Sequence, residues 1–127
     1  MKLERLEEWT EARRANARAY NERLAGLPVR RPVEREGDRH VYHQYTLRVP
    51  DRDRLHRWLD ERGVDTRVYY PAPLHTQPSC APLGYRAGQF PEAERACREV
   101  LSLPIHPQLT ARHLDRVVEG IREFFAS

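Results

Sequence analysis

Apolar residues recur along this chain with two different periods, and the change of period marks out its elements. Leu3, Leu6, Trp9, Arg13, Ala17, Tyr20 and Leu24 follow one another at spacings of three and four. That is the spacing of one helix face, so a helix is predicted from residue 3 to about 25. Gly26 and Pro28 follow as its stop. In VYHQYTLRV, residues 41–49, the period falls to two. Val41, His43, Tyr45, Leu47 and Val49 then share one face of a strand, with Tyr42, Gln44, Thr46 and Arg48 on the other. Residues 29–35 read as a shorter strand interrupted by Pro32.

Pro50 ends the 41–49 run, and Asp51 stands where a helix N-cap belongs. A second helix is predicted over 52–62, with Leu55, Trp58 and Leu59 on one side and Gly63 as terminator. TRVYY, residues 66–70, is a β-prone run. From Pro71 to Gln89 the chain is rich in Pro, Gly and Ser and reads as an ordered loop. Pro91 suits the first position of a third helix, about 91–99, which leads into LSLP as a short extended piece. Thr110 can cap a last helix whose apolar stripe is Leu114, Val117, Val118, Ile121, Phe124 and Phe125. The order of elements implies an α+β fold, a small and mostly antiparallel sheet with helices on one side.

Composition narrows the classes. At 127 residues the chain is long enough for a single domain, residues 1–127, with one modest core. No apolar run approaches the roughly 20 residues of a membrane span. The start, MKLERLEEWT, places acidic residues where an export signal needs apolar ones, so no membrane association and a cytoplasmic location are expected. The net charge is +3, but arginines and acidic residues are interspersed without an aromatic-laced basic stripe, so nucleic-acid binding is not expected. Cys80 and Cys97 are in no metal-type spacing and read as free thiols. Lys2 is the only lysine, at a terminus where chains fray.

Few residues suggest chemistry singly. His40 and His43 are three apart on a strand, which sets them on opposite faces and argues against a shared metal. His43, on the apolar face, reads as a core histidine. Arg13 and Arg14 could meet a phosphate or carboxylate, although a solvated helix face explains them as well. YYPAPLHTQ, residues 69–77, sets Tyr69, Tyr70, His75 and Gln77 among two prolines. Prolines stiffen a loop by fixing φ. Such a loop could present phenol, imidazole and amide groups to a polar ligand such as a sugar, or be purely structural.

The succession of motifs is more specific. RRANARAYNERL (13–24), VYHQYTL (41–47), RDRLHRWLDERGVDTRVYYPAPLHTQP (52–78), GQFPEAERACREVLSLPIHPQLT (88–110) and the final VVEGIREFF resemble, in order and spacing, the DegT/DnrJ/StrS type of aminotransferases, which act on nucleotide-linked keto sugars. The resemblance implies the small C-terminal domain of a fold type I aminotransferase. Its large N-terminal domain would carry pyridoxal phosphate, and two subunits would meet at the active sites. The lysine motif that bonds the cofactor in that family has no counterpart here, and Lys2 stands in no matching motif. So no catalytic, cofactor-binding or metal-binding residue is expected in this chain, and the chain is expected to be inactive alone. The cofactor would be held by the missing large domain. On the resemblance, Tyr70 and His75 are the substrate-side contacts, and His43 and Tyr45 match a strand motif that is structural first and cleft-lining second. The alternative is a free-standing, non-catalytic module that binds a sugar nucleotide or docks onto a relative.

Overall fold

The computed structural model describes residues 2–127, with side chains from Leu3 onward; the reading of Lys2 lies outside the described residues. A 3-10 turn over Lys2–Arg5 leads into α1, Leu6–Arg23. Next come β1 (Tyr45–Arg48), α2 (Arg52–Asp60), α3 (Pro91–Glu99), β2 (Val100–Leu103) and α4 (Ala111–Ala126).

β1 and β2 pair antiparallel, Tyr45 opposite Leu103 and Arg48 opposite Val100. Along β1, Tyr45 and Leu47 turn inward while Thr46 and Arg48 stay half-buried, the period of two the sequence predicts. The expected strand over 41–49 is cut short because Tyr42 adopts φ 44, in the left-handed region. That reversal breaks the alternation. Tyr42 enters the core, and Val41 and His43 turn outward. His43 is therefore exposed rather than a core histidine. The strands expected over 29–35 and 66–70 shrink to single bridges, Arg30 with Arg48 and Arg67 with Ser102. Proline explains both. Pro28 and Pro32 bracket Arg30 and cannot donate to a ladder. Pro71 follows soon after Arg67 and restricts Tyr70.

The apolar face of the sheet shares one core with α1, α2 and α4. Ala17 and Tyr20 enter it from α1 and Leu24 from the residue after it, Leu55 and Leu59 from α2, and Leu114, Val118 and Ile121 from α4. Each of the buried leucines contributes about 1.5–3 kcal/mol by leaving water. α2 and α4 approach closely enough for Trp58 Nε1 to donate to the Gly120 carbonyl at 2.9 Å. Thr110 caps α4, its hydroxyl accepting from the His113 backbone while His113 Nδ1 accepts from the Thr110 N–H. Asp51 occupies its expected cap position without a capping hydrogen bond. Gly26 and Gly63, both at positive φ, follow α1 and α2 as expected.

Segment 30–42 is fastened to α1 by arginines. Arg14 Nη1 donates to Glu34 and to the His40 carbonyl, both at 2.7 Å, and Arg13 Nε donates to the Val41 carbonyl at 3.2 Å. Arg39 returns the favour by pairing with Glu7 and Glu11. α3 stands apart from the other helices: it buries no residue completely, and its apolar side borders the proline loop.

Candidate functional site

The proline loop between Tyr70 and Gln89 is more regular than its composition suggests. Pro73, at φ −71 and ψ 146, enters a 3-10 turn over Leu74–Thr76; a second, Pro78–Leu83, ends at Gly84 in the left-handed conformation. The first turn lies against α3 and leaves a groove of about 590 Å³, lined among others by Tyr70, Leu74, His75, Phe90, Ala93 and Cys97. Its walls are mostly carbon. Small side chains on α3, Ala93 and Ala96, leave the space that the loop's aromatic and proline groups border.

Tyr70 is 70% exposed at the groove mouth. The peptide before it is cis, and the Tyr69 and Tyr70 rings stand edge to face, 5.8 Å apart. His75 points inward. Its Nε2 lies 3.0 Å from Glu94 Oε1, and its ring packs 4.7 Å from that of Phe90. The same carboxylate oxygen accepts the Gly88 N–H at 2.7 Å. The Gly88 N–H and then the His75 hydrogen bond hold the Glu94 carboxyl below its ordinary value, against a desolvation that works the other way. The two expected ligand-side residues thus lie on one groove, Tyr70 open to solvent and His75 engaged with the helix.

Beyond Tyr69 lies a second, more polar cleft of about 450 Å³, with His43, Gln44, Asp65, Arg67 and His106 on its walls. His43 and His40 also border a neighbouring cleft, where His40 Nδ1 accepts the Tyr42 N–H at 3.0 Å. Tyr45 lies in the core, and its hydroxyl donates to Asn21 Oδ1 at 2.7 Å. Among the described residues no cluster of His, Cys, Asp or Glu could hold a metal ion, and no helix is long and apolar enough to cross a membrane. Cys80 and Cys97 are free, as expected.

A family model described as the DegT/DnrJ/EryC1/StrS aminotransferase family matches residues 1–122. The chain belongs to that family. A pleiotropic regulatory protein of Geobacillus stearothermophilus is 49% identical over 98% of this chain and 34% of its own length. The dTDP-3-amino-3,4,6-trideoxy-alpha-D-glucose transaminase of Streptomyces venezuelae is 40% identical over 98% of this chain and 33% of its own length. Among solved structures, that of S. venezuelae DesV in complex with a ketimine intermediate superposes with a TM-score of 0.93 at 41% identity, covering 96% of this chain and 33% of that one. The chain therefore spans about a third of the length of the relatives it matches.

The family's cofactor finds no fit in the groove. Pyridoxal phosphate needs an amine for its aldehyde and positive or N–H groups for its phosphate. The groove lining has no lysine and no arginine. Two features escaped the sequence reading. Glu94 is not singled out in the sequence, and Arg13 and Arg14 read there as solvated or as partners for a phosphate or carboxylate. Only the fold brings Glu94 within reach of residues 75 and 88, and the arginines within reach of residues 34–41.

Proposed function

We propose that this chain, as one domain over 1–127, acts as the C-terminal small domain of a pyridoxal-phosphate-dependent aminotransferase for nucleotide-linked keto sugars. A large domain would bring the cofactor and the lysine that reacts with it. Family membership over 1–122 and the one-third coverage of its relatives support this reading. Tyr70 and His75 face the nucleotide sugar. The observation that carries the assignment is the groove beside the loop, which sets an exposed phenol at the mouth of an apolar recess. A sugar ring has apolar C–H faces and a hydroxyl rim, and an aromatic ring with one polar tip meets both.

When bound in the large domain, the cofactor supplies the electron sink for amino transfer. The work of this chain is to close one wall of the cleft, exclude water and orient the sugar. Alone it does not transaminate, since no described side chain in the groove can bond the cofactor. Mixing the purified chain with glutamate, pyridoxal phosphate and a keto sugar nucleotide is expected to give no amino sugar. Turnover above a no-protein control would sink the reading. The partner is the large domain of the same enzyme or a second subunit.

A free-standing binding module is the second reading. The self-contained core formed by α1, α2, α4 and the sheet favours it, since such a core can fold without a neighbour. Saturable heat of binding for a sugar nucleotide by this chain alone would decide for it.

A further inference from the structure

Glu92 and Glu94 both fall in the first turn of α3, where any carboxylate gains from the helix dipole. They are used differently. The Glu92 side chain is 74% exposed and pairs with Arg95 on its own helix, whereas that of Glu94 is 16% exposed and turned to the loop. A single oxygen of Glu94 takes two donors from points well separated in the chain, His75 Nε2 and the Gly88 N–H. His75, whose side chain is 8% exposed, is also held by the Phe90 ring, against which Tyr85 stands edge on at 5.4 Å. The two ends of the 75–88 segment are thereby fastened to one carboxylate.

We propose that Glu94 is a positioning residue, a clasp that closes the 75–88 loop and sets His75 and the adjoining Tyr70 at their height against the groove. This deepens the ligand-side reading of that loop and rests on it for its functional meaning. The clasp itself is a property of the chain without ligand. Helix start and clasp separate by chemistry. A dipole role needs only a negative charge, whereas a clasp needs an oxygen that accepts both N–H groups. Glutamine keeps the oxygen and loses the charge.

The test is amide hydrogen exchange on the full chain at neutral pH, comparing wild type, Glu94→Ala and Glu94→Gln without ligand. Glu94→Ala is expected to speed exchange in residues 70–90 by about tenfold or more, with α2 and α4 unchanged, because only the local opening becomes easier. Glu94→Gln is expected to recover most of that protection. Loop exchange within about twofold of wild type in Glu94→Ala, or an equal rise in α2 and α4, would overturn the clasp. So would a Glu94→Gln chain as unprotected as Glu94→Ala. A separate titration of wild type, joined to its large domain, with a sugar nucleotide tests the ligand reading. Its failure would remove that reading while leaving the exchange result to stand.

Discussion

Glu94 and the buried tyrosines are the residues whose ionisation the fold alters most usefully. The carboxyl of Glu94 lies below its ordinary 4.5 because the Gly88 N–H and His75 favour its charged form. A lowered carboxylate stabilises fully above the ordinary value and loses that contribution as pH falls through the lowered one. Its surroundings are His75, Gly88 and Phe90, and the Glu92–Arg95 pair on the same helix is exposed. Protection of residues 70–90 should therefore hold level down to about pH 4.5 and fall in more acid solution, read by exchange against pH. Protection that declines already through neutral pH would contradict this. The phenols run the other way. Burial, the largest cause, pushes Tyr20 and Tyr45 well above the ordinary 10.0. Tyr20 donates to the Pro104 carbonyl at 2.9 Å, a bond the ionised phenol would lose. Their stabilising contribution is complete below pH 10.0 and declines as pH rises beyond it. In alkaline titration the last rise in tyrosinate absorbance should coincide with loss of helical circular dichroism. Ionisation of all six tyrosines with the helices intact would disprove that. Neither effect was legible in the sequence. Tyr45 could be placed inward by its period, but its partner Asn21 lies a helix away. Tyr42 was assigned to the wrong face because a left-handed residue leaves no mark in a pattern of apolar positions.

Among the elements, α2 and α4 pack closely, and their contact turns on a glycine. A Cβ built at Gly120 would stand 2.9 Å from Leu59 Cδ2, and Leu59 is buried. A branched side chain has nowhere to go, so Gly120→Val should cost about 1–3 kcal/mol by overpacking. Denaturant melts would read the loss, and a change under about 0.5 kcal/mol would mean the crossing relaxes freely. Thr110→Ala removes the hydroxyl that caps α4 and should cost about 1 kcal/mol on the same assay. The helices were the legible part of the fold. The stripe from Leu114 to Phe125 and the stops at Gly26 and Gly63 are local signals, and local signals survive into the structure. The strands were read too long, since pairing depends on a neighbour that a single stretch of sequence does not name. The 66–70 run has the right residues for a strand but meets β2 at Arg67 alone. The loop stood out in the sequence by its prolines and aromatics. Its fastening did not, because Glu94 looks like any acid at a helix start.

For the whole molecule, the unequal distribution of apolar surface matters most. Leu74, Leu83, Tyr85 and Phe90 are exposed along the proline loop, with Tyr70 at its head, while Leu3 and Leu6 are exposed at the start of the chain. Monomeric proteins seldom leave such clusters open, and clusters of this kind mark contact surfaces. The chain on its own should therefore self-associate as concentration rises, measured by light scattering, and joining it to a large domain of the kind proposed above should abolish the effect. A clean monomer with cooperative unfolding at every concentration would show that these residues need no cover.

The clasp at Glu94 also bears on how the loop can vary in length. Because residues 75 and 88 are both held by one oxygen, the stretch between them hangs from fixed points. Chain added at its tip need not be felt at the groove. Each doubling of a flexible loop adds only about 0.6 kcal/mol of closure entropy. The turn at Gly84, where a left-handed residue faces open space, is then a natural port for grafting a tag or a foreign epitope.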